Sequence, residues 1–293
     1  MSIIPLWLYK TIHNLYFLAA VSFVIFFACY YLYNPTTLSK GFDTLLGIAS
    51  FLFGFYIVSA IATAKSQHES IISHLKDTEG MLITIHGLIN VFDTKSKKLV
   101  LQKIDNYLIQ TIDYRLETDY DKSSGSAIEL LNTLQSLKPK NEQQKTAQSD
   151  SIAIMEDLLT SRTLIETSTK DRISVFEWMI ISLLFCVILF FIFSISKESA
   201  GILLVVLKSI VSVSLLMMLI VLYKYDNLRW GKNEWVWKRL PVTFASLGLK
   251  PYFPDAIFRY GESTKPKGII RVANYPNKYP DMTGKIVTVE EIK

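Results

Sequence analysis

Ile48, Phe51, Leu52 and Phe55 recur at three- and four-residue steps within a stretch that carries no charge. Such side chains do no covalent chemistry. If several copies of one helix surround an axis, they form stacked apolar rings that gate a water-filled passage by dewetting. Contact with lipid or another helix is the competing reading, and periodicity alone does not separate the two. Lys208 is the only formal charge well inside an apolar stretch. A cation there snorkels to the headgroups, pairs, or faces a cavity, where it would attract anions. No Asp or Glu accompanies it, which disfavours a proton-coupled carrier. His68, Glu69 and His74 lie near one another, but a six-residue separation does not put both imidazoles on one helix face, so no metal is expected. The acidic run DYRLETDYDKSSG fails as a calcium loop: counting from Asp119, Ser124 stands where glycine is required and Leu130 where the closing glutamate belongs. It reads as a solvated helix end. Phosphate loops, zinc-type Cys/His pairs and nucleophile elbows are all missing, so the chain reads as a non-enzyme without cofactor.

The elements that must position these residues follow from composition. The chain is 50% hydrophobic, with its apolar residues gathered in long blocks, and reads as an integral membrane protein. Thr44 to Ala64 is uncharged and, at about 1.5 Å per residue, long enough to cross a hydrocarbon core of roughly 30 Å. Gly47, Ser50 and Gly54 in it permit close helix contact. Three further spans are expected: Asn14 to Tyr33, ending in interfacial tyrosines Tyr30, Tyr31 and Tyr33; about Val175 to Ser194, with Trp178 near its entrance; and about Ala200 to Tyr223. Short turns make these two antiparallel pairs. Cys29 and Cys186 both fall in spans, which excludes a structural disulfide.

Between the pairs, helical periodicity predicts amphipathic helices over 65–92 (Ile71, Leu75, Leu82, Ile85, Ile89), 98–120 (Val100, Ile104, Tyr107, Leu108, Ile112, Leu116), 126–137 (Ile128, Leu131, Leu134, Leu137) and 151–169 (Ile152, Met155, Leu158, Leu159, Ile165). The polar segment KPKNEQQKTAQS is expected to be a loop. The tail opens on YDNLRWGKNEWVWKRLP, where Trp230, Trp235 and Trp237 among basic residues suit an interfacial anchor. Prolines then exclude long helices, leaving IIRV and KIVTV as short strands.

The expected architecture is an all-α membrane protein with four parts: 1–64, a lead-in and two spans; 65–174, a cytoplasmic helical domain; 175–223, two spans; and 224–293, a basic, proline-rich tail. From Lys224 onward, basic residues outnumber acidic ones 13 to 7, against 14 to 17 between Lys65 and Glu177. Lys65, Lys170, Arg172, Lys224 and Arg229 flank the central region and tail, which places both termini in the cytoplasm of a cell whose inner membrane holds the spans. Anionic lipid or an acidic neighbouring surface is the expected partner of the tail, and nucleic acid is not.

The glycine-rich second span GFDTLLGIASFLFGF, the basic residue and long helix after it, Arg162 and Arg172 before the third span, Trp178 at its start and YDNLRWG after the fourth together resemble the bacterial bestrophin-like family. That resemblance, over roughly 41–231, implies a homopentameric, anion-conducting pore lined by the second helix. The chain departs from bestrophins proper in having no proline in the second span and no acidic cluster around Asp226. The alternative is a non-conducting scaffold or sensor that binds a partner or anionic lipid.

Overall fold

The computed structural model describes residues 15–32, 42–114, 116, 119–194, 201–227, 242–255, 258, 268–277 and 281–292. The chain is mostly helical, with a small C-terminal sheet. Its helices are α1 (Leu15–Leu32), α2 (Phe42–Leu88), α3 (Thr94–Asp113), α4 (Ser124–Gln135), α5 (Glu142–Lys170), α6 (Val175–Ser194) and α7 (Gly201–Asp226). Three helices, α2, α6 and α7, are long and apolar enough to cross a membrane; α1 is a shorter apolar helix within the described residues. Trp230, Trp235 and Trp237, and the turns between the helix pairs, lie outside the described residues.

Two compact units divide the chain. One comprises Met1–Lys65 and Ile173–Asp226. Its apolar core joins Ala49, Phe53, Ile57 and Ala64, which bury one face of α2, to Ile181, Ile188 and Ile192 of α6 and Val205 and Leu222 of α7. Ser174 starts α6 with a capping box, its Oγ accepting from the Glu177 N–H at 3.1 Å while its own N–H reaches Glu177 Oε2 at 3.0 Å. Asp226 ends α7 by accepting from the Ile173 N–H at 2.9 Å and from Trp178 Nε1 at 3.1 Å. The start of α6 is thereby tied to the end of α7, as an antiparallel pair requires.

The second unit comprises Ser66–Arg172 and Asn227–Lys293. Four helical stretches bury the residues that periodicity picks out: Leu82, Ile85 and Ile89 of the chain around the end of α2 meet Val100, Ile104, Tyr107 and Leu108 of α3, and Met155 and Leu158 of α5. On α4 the buried stripe is Ala127, Leu130 and Leu134, and Ile128 is half exposed. Of the expected stripe, Leu134 and Leu137 are buried and Leu131 packs against the core, while Ala127 and Leu130 take the place of Ile128. The segment expected as a loop is helix from Glu142 onward. Asn141 caps it, accepting from the Gln144 N–H at 2.8 Å. Its glutamines do not merely solvate: Gln144 Nε2 donates to Val91 O, and Gln148 Nε2 to Leu134 O and Leu137 O, each at 2.9 Å. They satisfy carbonyls left open where the neighbouring helices end.

The tail packs on this helical core. A helical turn over 242–246 stops at Gly248, whose φ of 70° lets Leu249 N–H reach back to Phe244 O at 2.8 Å. The sheet runs β1 (Tyr252–Pro254), β2 (Gly268–Asn274), β3 (Ile286–Ile292), with β1 parallel and β3 antiparallel to β2. Phe244, Leu247, Tyr252 and Ala273 enter the same core as α3 and α5.

Candidate functional site: an open face of the second helix

At the helical step of about 100° per residue, Ala49, Phe53 and Ile57 fall on one side of α2. Packing then leaves the other side bare. Phe51 is 72% exposed, Phe55 65% and Ile48 53%, with Leu52 at 38%. The four residues singled out by spacing thus share the unpartnered face, whereas Phe53 between them is 2% exposed against the Phe185 ring, 6.4 Å away between centroids. A Cβ placed on Gly47 or Gly54 would meet nothing within 4 Å. Among the described residues, nothing requires those glycines.

Lys208 has a different setting. It is 6% exposed, on α7, and its ammonium lies 5.6 Å from the centroid of the Tyr30 ring on α1. One turn along α7, Ser212 Oγ hydrogen-bonds Tyr30 OH at 2.7 Å. Tyr30 therefore points into the helix pair, its ring 4.5 Å from that of Phe193, rather than joining Tyr31 at a surface. The face of the Tyr30 ring gives this buried ammonium a cation–π contact within the helix pair. Cys29 and Cys186 are both free thiols on exposed positions.

In the other unit, the charged side chains of Asp113 and Arg162 are buried. Asp113, expected on a solvated helix end, accepts from Tyr252 OH at 2.6 Å, Tyr275 OH at 2.5 Å and Lys285 Nζ at 2.5 Å, and its side chain is 4% exposed. Eight residues before it on α3, Asp105 takes a bidentate pair from Arg271, both bonds at 2.6 Å. Arg162, 5% exposed on α5, donates to Tyr107 OH at 3.1 Å, Tyr120 O at 3.2 Å and Ser123 Oγ at 2.9 Å, and lies 4.4 Å from the centroid of the Tyr120 ring. No local signal marks these partners, which stand between 39 and 172 residues away in the chain. His74 Nδ1 lies 3.8 Å from Asp77, and burial holds the His68 imidazole below its ordinary range against the opposing pull of Glu69. No group of three His, Cys, Asp or Glu among the described residues is placed to hold a metal.

A family model for the bestrophin-like domain matches residues 15–227 of this sequence. The chain belongs to the bestrophin-like family. Among solved structures, this bestrophin-like chain is similar in fold to a crystal structure described only as a membrane protein, with a TM-score of 0.57 at 9% identity, covering 80% of this chain and 99% of that one. Two mutant forms of a bacterial bestrophin homologue from Klebsiella pneumoniae align with a TM-score of 0.49, at 10% and 9% identity, over 74% of this chain and 90% and 89% of theirs. Among curated proteins nothing matches.

The tyrosines around Asp113 carry a pH signature. Burial first, and the Asp113 charge second, push both phenols far above their ordinary value of 10.0. The folded pKa exceeds the unfolded one, so this contribution to stability is complete below about pH 10 and is lost as pH rises beyond it. In an ultraviolet titration, the Tyr252→Phe, Tyr275→Phe double variant is expected to lose no absorbance change from the transition of the folded protein. Two missing ionisations in that transition would mean that both phenols titrate freely.

Proposed function

We propose that this chain is the subunit of a homo-oligomeric ion channel whose pore is lined by the open face of α2, and that it conducts anions such as chloride. The observation that carries the reading is the exposure of Ile48, Phe51, Leu52 and Phe55 on a membrane-length helix, on the side away from the buried Ala49, Phe53 and Ile57. Membership of the bestrophin-like family supports it. Copies of α2 around an axis give those residues a role as stacked constrictions that shut by dewetting. Gly47 and Gly54 fit the same picture, because close approach of neighbouring helices favours residues without side chains.

In this reading the assembly is a pentamer with four spans per subunit. It sits in the inner membrane with both termini cytoplasmic, and the four parts 1–64, 65–174, 175–223 and 224–293 keep their separate duties. Lys208 adds positive potential from between α1 and α7, which favours anions in the passage. Trp230, Trp235 and Trp237 anchor the start of the tail at the headgroups. The test is chloride release from vesicles that contain purified protein. Phe51→Ala combined with Phe55→Ala is expected to raise the flux several-fold by widening the rings. Correctly assembled protein that passes no ion would favour a scaffold or sensor, and a monomeric or dimeric particle would exclude a central pore.

A further inference from the structure

β3 is an outer strand of the sheet, whose order is β1-β2-β3. The other outer strand, β1, is three residues long and wholly buried. β3 runs for seven residues in unbroken register with β2, and none of the seven is buried. Ile286 is 60% exposed, Val287 43% and Val289 59%.

The free edge of β3 follows from one hydrogen bond. The Arg271 N–H donates to Pro251 O at 2.7 Å, toward β1. Main-chain groups alternate sides along a strand, so Ile269, Arg271 and Ala273 all turn theirs toward β1. Their register partners on β3, Glu291, Val289 and Val287, therefore turn N–H and C=O away from β2. Among the described residues no main-chain hydrogen bond meets those groups. Natural sheets blunt such an edge with proline, lysine, a bulge or brevity. β3 has none of these. Its only charges are Glu290 and Glu291, and neither is in an ion pair among the described residues. The neighbouring cations are taken, Arg271 by Asp105 and Lys285 by Asp113.

We infer that β3 docks an extended peptide of a partner protein as a fourth strand, with β-branched residues beside Val287 and Val289 and lysine or arginine beside Glu290 and Glu291. Main-chain bonds to Val287, Val289 and Glu291 hold such a strand, and the side-chain pairs select it. Charge decides against a second copy of β3. In parallel register a second copy sets Glu290 and Glu291 against their own kind, and antiparallel about Val289 it sets Glu291 against Val287. The inference does not depend on conduction.

A labelled heptapeptide, Lys-Lys-Val-Thr-Val-Thr-Lys, acetylated and amidated at its ends, is a probe of that class. Fluorescence anisotropy with the full-length protein in neutral detergent should show saturable binding, at least about tenfold tighter than that of two controls. In one control glutamate replaces every lysine; in the other proline replaces the first valine and removes a ladder donor. Glu290→Lys with Glu291→Lys should reverse the preference in favour of the acidic peptide. Residue-resolved hydrogen exchange needs no variant: saturating probe should slow the Val287, Val289 and Glu291 amides several-fold and leave those of Thr288 and Glu290, which face β2, unchanged. No saturable binding, equal binding of the three peptides, or a preference that charge reversal does not move would overturn the assignment. Protection of the Val287 and Val289 amides in peptide-free protein that is lost on dilution would also overturn it, by giving the edge to a second copy.

Discussion

Asp113→Ala is expected to lower the stability of the Ser66–Arg172, Asn227–Lys293 unit by about 3–5 kcal/mol and to detach its C-terminal sheet. One carboxylate serves three donors that arrive from three separate parts of the tail: Tyr252 on β1, Tyr275 just after β2, and Lys285 just before β3. Removing it strands the Lys285 ammonium, 24% exposed and lying 5.5 Å from the Tyr252 ring, without its counter-charge. The buried Tyr252 phenol and the partly buried Tyr275 phenol lose their acceptor in the same step, though each retains the other at 2.9 Å. Asp113→Asn, which keeps an acceptor oxygen but not the charge, should cost less. Hydrogen exchange reads the effect directly, since amides of residues 268–274 and 286–292 should lose protection in the alanine variant before those of α5. Unchanged protection there would show that the Arg271 pair with Asp105 and the apolar contacts of Phe244 and Leu247 hold the tail unaided.

Arg162→Ala is expected to be of similar size, about 3–5 kcal/mol, for a different reason. The guanidinium fills the space between Tyr107 and Tyr120 as well as bonding both segments, so truncation opens a cavity, takes a donor from the Tyr107 hydroxyl and leaves the Tyr120 carbonyl with the Ser123 hydroxyl alone. Arg162→Met separates the two losses. A long apolar side chain restores most of the packing and avoids the cost of a buried charge, so it should recover a good part of the loss. Thermal unfolding of the three proteins decides the matter. If the alanine and methionine variants melt together, packing is not what the arginine contributes; if neither differs from the parent, the buried cluster is energetically silent.

Those two residues also mark where sequence reading stops. Periodicity located Leu82, Ile85, Val100, Ile104, Met155 and Leu158 because an amphipathic helix writes its buried face into local spacing. Ile48, Phe51, Leu52 and Phe55 share a face legible from spacing in the same way. Asp113 and Tyr252 are 139 residues apart, and nothing near either one announces the other. The glutamines of α5 mislead by composition: polar residues normally read as solvated, but Gln144 and Gln148 are donors to the ends of other elements. Tyr30 misleads similarly, since a tyrosine at the end of an apolar run suits an interface, and only the neighbouring Ser212 and Lys208 give its hydroxyl and ring an interior use.

The tie at Asp226 has a topological consequence. The chain leaves one unit at Arg172 and returns to it at Asn227, and those two side chains are themselves bonded at 3.3 Å. Everything from Ile173 to Asp226 is therefore a closed excursion of roughly fifty residues whose two feet stand together, so lengthening or shortening it changes the entropy of closure only logarithmically. A chain begun at Ser66 with Arg172 spliced to Asn227 through a brief linker keeps the whole of the helix-and-sheet unit, which makes that unit a natural candidate for isolation as an autonomous fragment.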